Sequence, residues 1–163
     1  MQKKKQVDIA LIGEPKVGKT TIVELIDKDA KSQGTTYKIE TETISYTIWE
    51  LQTSSSEPQR LEIFSTSFLN QSSPFNRYVL LVSDSSEEDV NTITYSVPFL
   101  RNMFPNTRLA IIANRQDLKD RLSRRRIEKM TNLPTLELSA IHQTQRERLL
   151  NFISYLLNSE SGL

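Results

Sequence analysis

The feature that most constrains this chain is a glycine-containing loop between an apolar segment and a helical pattern. Residues 13–20 read Gly-Glu-Pro-Lys-Val-Gly-Lys-Thr, and the mostly apolar segment 7–12 precedes them. Residues 20–26 then place apolar side chains at helical spacing. A strand, such a loop and a helix in this order aim backbone N–H groups at phosphate oxygens. The sequence therefore predicts that this chain binds the phosphates of a nucleotide.

The fixed residue types of this loop have separate physical roles. Glycine at positions 13 and 18 lets the backbone wrap tightly, and Lys19 is expected to reach the β- and γ-phosphates and to stabilise their charge. Thr20 would offer its hydroxyl to Mg²⁺. Lys16 adds a cation that either stabilises transition-state charge or points into solvent, and we favour solvent. The residues of this loop that we assign to nucleotide binding are Gly13, Lys16, Val17, Gly18, Lys19, Thr20 and Thr21.

A second motif lies about a hundred residues downstream, where an apolar run from Leu109 ends in Asn114-Arg115-Gln116-Asp117. Here the chain resembles the small GTPase superfamily of Ras-like P-loop proteins, whose guanine-reading motif is Asn-Lys-x-Asp. The amino-acid sequence of this motif is most similar to that of the Arf and Rab branches. The resemblance implies that Asp117 accepts hydrogen bonds from the guanine ring N–H and amino group, a donor pair that adenine lacks.

The same resemblance assigns roles to the neighbours of Asp117. Asn114 is expected to brace the phosphate loop and approach the base, and Arg115 to lie over the purine face in place of Lys. A short apolar run then ends in Ser139 and Ala140, a turn that in the family lends backbone N–H groups to the guanine carbonyl. GTP or GDP with Mg²⁺ is the ligand that these motifs imply.

The resemblance weakens where the family positions the attacking water. Residues 48–54 align with Trp-Asp-x-x-Gly-Gln, but Glu50 replaces the Asp, Thr53 the Gly and Ser54 the Gln. Glu50 keeps a carboxylate that can hold a metal-bound water in a shifted geometry. The catalytic residues are therefore unassigned, with Lys19 as a charge stabiliser and two weak candidates for positioning water, Gln52 and Gln59.

The first switch is expected near Gly34, where either Thr35 or Thr36 would close over Mg²⁺. The metal ligands are thus predicted to be Thr20, Thr35 or Thr36, and Glu50 through water. Residues 52–60 are rich in serine without an apolar period, and we expect this second switch to be mobile.

Two functions remain open at this point. The chain is either a molecular switch with slow or partner-dependent GTP hydrolysis, or a hydrolysis-deficient module that binds GTP and presents its switch surface to a protein. An ATP-using enzyme is disfavoured by Asp117. A protein effector or regulator at the switch surface is expected in both cases.

The predicted fold is a doubly wound α/β domain with a mostly parallel sheet, helices on both faces and one antiparallel edge strand from a hairpin near residues 37–50. Strands at 37–43 and 77–82 and helices at about 87–103, 121–130 and 145–157 follow the sequence pattern, with a capping pattern at residues 86–89 and Pro98 inside the helix that it opens. We expect one domain over residues 1–158 and a short flexible tail at 159–163.

Composition restricts the partners and the location. With 21 basic and 20 acidic residues the net charge is +1, which disfavours a general nucleic-acid binder. No apolar run approaches the ~20 residues of a membrane span. The absence of cysteine excludes disulfides, prenylation and palmitoylation, and position 2 is not glycine, so no lipid anchor is expected. We therefore expect a cytoplasmic protein.

Overall fold

The computed structural model describes residues 3–34, 36–51, 58–73 and 75–159. Within these ranges, seven strands form one sheet: β1 (Lys5–Ile12), β2 (Ser32–Gln33), β3 (Thr36–Glu40), β4 (Ile44–Glu50), β5 (Arg77–Ser83), β6 (Arg108–Ala113) and β7 (Thr135–Glu137). The helices of the same ranges are α1 (Lys19–Ile26), α2 (Pro58–Gln71), α3 (Glu87–Met103), α4 (Arg124–Thr131) and α5 (Arg146–Asn158), with a single 3₁₀ turn at Gln143–Gln145.

The strand order is β2-β3-β4-β1-β5-β6-β7. Strands β4, β1, β5, β6 and β7 are parallel, whereas β3 runs antiparallel to β4, and β2 antiparallel to β3. The predicted parallel sheet with an antiparallel edge hairpin is confirmed. Because the strand order reverses beside β1, the loops at the carboxyl ends of the central strands lie where ligands bind in open α/β sheets.

Both faces of the sheet are buried. One core layer lies under α1 and α5, and it includes Ile22 and Ile153 together with Ile48 of β4. The other lies under α2, α3 and α4, and it includes Phe68 together with Trp49, the next residue of β4. Because successive strand residues point to opposite faces, Glu50 lies on the same side as Ile48, beside α1.

Several sequence predictions are confirmed in detail. Helix α3 spans Glu87–Met103, with Ser86 as its N-cap accepting from the Asp89 N–H, and it contains Pro98. Strand β5 and helix α5 lie within a residue of their predicted bounds.

Two boundaries were predicted incorrectly. Helix α4 begins at Arg124 rather than residue 121, because Ser123 caps it by accepting from the Arg126 N–H. The strand expected to continue to residue 43 ends at Glu40, because the Thr41 hydroxyl accepts from the Ile44 N–H and closes the hairpin.

Helix α2 is not among the helices predicted from the sequence, and it begins at Pro58, inside the segment 52–60 that we expected to be mobile. Proline suits the first turn of a helix, where its missing N–H is not needed. The rest of that segment, residues 52–57, lies outside the described residues, as do residues 160–163 of the predicted tail.

In the part of the chain that the structure describes, none of the helices combines the length and apolar character needed to cross a bilayer.

Candidate nucleotide-binding site

The loop between β1 and α1 presents an uncapped helix N-terminus. Lys16 and Gly18 have positive φ angles of 68° and 105°, an alternation that turns successive N–H groups toward one side. Gly18 is the N-cap of α1 and has no side chain to cap it, whereas Ser86 and Ser123 cap α3 and α4. The first N–H groups of α1 are therefore available to an anion.

Lys19 closes over the loop from the first turn of α1. Its Nζ donates to the carbonyl oxygens of Gly13 at 2.8 Å and Glu14 at 3.0 Å, and the residue is only 6% exposed. Burial lowers the pKa of Lys19, while the nearby carboxylates of Glu50, Glu14 and Asp89 oppose that change. An ammonium group carries three N–H donors, so two carbonyl bonds leave one donor for a phosphate oxygen.

Each of the two glycines in the loop is required by a close neighbour. A Cβ at Gly13 would lie 2.4 Å from the Val82 carbonyl oxygen of β5. At Gly18 it would lie 2.4 Å from Nδ2 of Asn114, which comes directly after β6. The loop therefore packs against the carboxyl ends of β5 and β6 as closely as backbone permits.

The Asn114 side chain connects three loops. Its Nδ2 donates to the Val17 carbonyl at 2.9 Å, and its Oδ1 accepts from the Ala140 N–H at 3.0 Å. Asn114 is 4% exposed, so both polar atoms of its amide are satisfied by buried partners. The structure thus places Asn114 as a brace of the phosphate loop, while its approach to a base stays a prediction.

Two residues that sequence reasoning did not single out hold the backbone around Asn114. The buried Ser85 hydroxyl donates to the Asn114 carbonyl at 2.6 Å. Gln116 Nε2 in turn donates to the Ser85 hydroxyl at 2.9 Å and to the Leu122 carbonyl at 3.1 Å. Gln116 occupies the variable position of Asn-Lys-x-Asp, so the motif offered no signal for this role.

Arg115 and Asp117 extend this region toward solvent. The Arg115 guanidinium donates to the Lys16 carbonyl, and Arg115 itself has a φ of 63°. Asp117 is exposed, and its carboxylate makes no hydrogen bond or ion pair to another described residue. An open cavity of about 300 Å³ is lined by Pro15, Lys16, Gly18, Lys19, Thr20, Thr21, Glu50 and Arg115.

Ser139 and Ala140 are both buried beside Asn114. The Ala140 N–H that the sequence assigned to a guanine carbonyl already donates to Asn114. Its role toward a base stays a prediction, and it requires that this bond be shared or exchanged.

Glu50 occupies the side of the site where the sequence predicts the metal. The Thr20 hydroxyl donates to Oε1 at 2.7 Å and the Tyr37 phenol donates to Oε2 at 3.1 Å, while Glu50 is 3% exposed. Burial, reinforced by the Glu50 carboxylate, raises the pKa of the Tyr37 phenol, so the phenol remains a donor at neutral pH. Sequence reasoning missed Tyr37 because only the hairpin register brings it to Glu50.

The Thr20 hydroxyl and the Glu50 carboxylate suit a Mg²⁺ ion whose remaining ligands come from a nucleotide and water. Magnesium takes hydroxyl and carboxylate oxygens, usually one or two from protein, and keeps waters and substrate phosphates as the remaining ligands. Among the described residues no group of three or more His, Cys, Asp or Glu could hold a metal. The Thr20 and Glu50 oxygens therefore fit a shared magnesium site better than a cage built by protein alone.

Of the remaining predicted site residues, the structure describes Thr36 and Gln59. Thr36 lies opposite Trp49 in the hairpin, on the sheet face away from Glu50, and its hydroxyl donates to the Gln33 carbonyl at 3.1 Å. Gln59 is exposed in the first turn of α2. Thr35 and Gln52 lie outside the described residues, so the choice of first-switch threonine stays a prediction.

No protein-family model matches the chain, and no curated protein matches it. Among solved structures it is similar to the G-domain of FeoB from Methanococcus jannaschii, with a TM-score of 0.70 and 21% sequence identity. The match covers 93% of this chain and 97% of the FeoB chain.

The chain has the fold of a G domain. That mostly parallel sheet with helices on both faces is the P-loop GTPase-like α/β fold predicted from the sequence. At 21% identity the likeness concerns the fold alone, and a fold by itself does not select a function.

Gly18→Ala tests the close packing of the loop on Asn114. Alanine costs about 1–2 kcal/mol in a left-handed conformation, and displacing the Asn114 amide leaves the Val17 carbonyl unpaired at about 1–3 kcal/mol. We expect urea denaturation to give a free energy of unfolding lowered by about 2–5 kcal/mol.

Gly34→Ala is the matched control, because Gly34 has a φ of 71° but no atom lies within 4 Å of the place that a methyl group would take. It should lose only about 1–2 kcal/mol. Equal losses in the two variants would show that Gly18 does not pack on Asn114.

Proposed function

We propose that this chain binds GTP and GDP together with Mg²⁺ and acts as a molecular switch with slow or partner-dependent GTP hydrolysis. The observation that carries the proposal is the Asn114 bridge from the Val17 carbonyl to the Ala140 N–H. It joins a phosphate-binding loop to the two loops that carry a guanine-reading pattern. The phosphates and the base of one nucleotide could therefore bind side by side in a single site.

At the phosphate end, the α1 N-terminus and the third N–H of Lys19 provide positive charge and donors. Thr20 and Glu50 would hold Mg²⁺, which would neutralise charge on the phosphates when bound. Lys16, although exposed, adds a further cation at the rim of the cavity.

At the base end, Asp117 supplies the selectivity. Its carboxylate carries two oxygens with no competing partner among the described residues, and guanine presents two adjacent N–H donors to them. Adenine presents no such pair, so it would leave the carboxylate without hydrogen bonds. Arg115, held by the Lys16 carbonyl, is placed beside the cavity where a planar guanidinium can stack on a purine.

Turnover is proposed to be slow because the family's water-positioning residues are replaced. Thr53 and Ser54 stand where the resemblance expects Gly and Gln, and Ser54 is too short to orient a water in the same way. A protein partner that completes the site with a cation would accelerate hydrolysis. In its absence the chain serves mainly as a binding module whose surface depends on the bound nucleotide.

Asp117→Asn tests the base assignment directly. The wild-type protein should bind GDP at least about a hundredfold more tightly than ADP, because an unpaired polar site rejects the wrong base strongly. The variant should lose GDP affinity and prefer xanthosine diphosphate, whose carbonyl can accept from the asparagine amide. Calorimetric titration with the three diphosphates measures this.

Asp120→Asn is the control, since it makes the same change three residues on at an exposed position with a φ of 59° that asparagine tolerates. It should keep the wild-type preference. Equal wild-type affinities for ADP and GDP would eliminate the guanine assignment.

The hydrolysis proposal predicts a wild-type single-turnover rate below the roughly 10⁻⁴ s⁻¹ of intrinsic Ras hydrolysis. Thr53→Gly with Ser54→Gln restores the Gly and Gln of the family motif and should raise that rate. Ser56→Gln alone should not raise it. A wild-type rate at or above the Ras value, unchanged by these substitutions, would show that another group positions the water.

A further inference from the structure

Both oxygens of the Glu50 carboxylate are held by hydroxyl donors from different elements. Thr20 of α1 donates to Oε1 at 2.7 Å, and Tyr37 of β3 donates to Oε2 at 3.1 Å. The first contact belongs to the nucleotide site described above. The second comes from the edge hairpin, outside the two sequence motifs that predict the site.

The hairpin register explains why Tyr37 reaches Glu50. Tyr37 lies directly opposite Ile48, and Glu50 is two residues further along β4 on the same face. Diagonal neighbours of this kind are within reach of a long aromatic side chain. The Tyr37 ring also packs against the core layer under α1 and α5, so its hydroxyl is held in place by packing.

Glutamate needs such a partner more than aspartate would. Its extra methylene adds a rotatable bond, and a side chain with more rotamers loses more entropy when it is held in one position. Each carboxylate oxygen has two lone pairs, so Oε2 can accept from Tyr37 and still accept from a metal-bound water.

We infer that Tyr37 is a positioning residue for the magnesium-dependent part of nucleotide binding, because it keeps the long Glu50 side chain directed at the Thr20 hydroxyl. The inference rests on the proposed function. It predicts that loss of the phenol hydroxyl weakens nucleotide binding only when Mg²⁺ is present.

The test is Tyr37→Phe, with the dissociation constant of GDP measured in excess Mg²⁺ and again in excess EDTA. The dissociation constant in EDTA divided by that in Mg²⁺ reports how much the metal strengthens binding. Loss of a group that orients a metal ligand should reduce this ratio about tenfold, while the constant in EDTA stays at the wild-type value. Tyr95→Phe, at an 87% exposed position of α3, is the matched control and should leave both constants unchanged.

A double-mutant cycle with Glu50→Asp shows whether Tyr37 affects nucleotide binding through Glu50. The shorter carboxylate does not extend to the Tyr37 hydroxyl, so adding Tyr37→Phe to Glu50→Asp should leave the ratio unchanged. Non-additivity of this kind measures coupling between the two side chains.

The outcomes separate this inference from the proposed function. Failure of the wild-type protein to bind GDP would overturn both. GDP binding that Mg²⁺ leaves unchanged, or a wild-type ratio in Tyr37→Phe, would overturn the role of Tyr37 and keep guanine binding. Equal weakening with and without Mg²⁺ would show a merely structural tyrosine, and a tenfold loss that persists beside Glu50→Asp would show that Tyr37 does not act through Glu50.

Discussion

The candidate site depends on one buried amide, the side chain of Asn114. Its nitrogen and oxygen pair with the Val17 carbonyl and the Ala140 N–H, groups from two loops that are far apart in the chain. Leaving either partner unpaired would cost about 1–3 kcal/mol. Gly18 has no side chain because this amide occupies the space that a Cβ would need. The loop at 13–20 and the loops that carry Asn114 and Ala140 are therefore one connected unit, and the Ser85 hydroxyl donates to the Asn114 carbonyl within it.

The side of the site where the sequence predicts the metal is built differently. It depends on Glu50 at the end of β4, which is held by a hydroxyl from α1 and another from the edge hairpin. The sheet edge is paired through short strands, β2 having only two residues. A change in the hairpin would consequently reach Glu50, whereas Asn114 is held by contacts to other loops.

Local motifs made the fold and much of the site predictable, whereas pairings across the sheet were not. The loop at 13–20 and the Asn114 motif consist of neighbouring residues whose types identify them, and the G-domain fold follows from their order. The Tyr37 contact depends on where the hairpin turns. The strand predicted from the sequence continued past Glu40, through the residues that form the turn. The same register places Thr36 opposite Trp49, on the sheet face away from Glu50. Sequence patterns identify strands more readily than they identify which residues lie opposite one another.

Amide hydrogen exchange on adding GDP and Mg²⁺ tests most directly whether the loops joined by Asn114 act as one nucleotide site. We predict that protection increases together in residues 13–21, 114–118 and 138–141, because phosphate and base contact loops that share the Asn114 bridge. Protection confined to residues 13–21, with exchange at 114–118 and 138–141 unchanged, would contradict this account and leave a phosphate-binding loop without a guanine site.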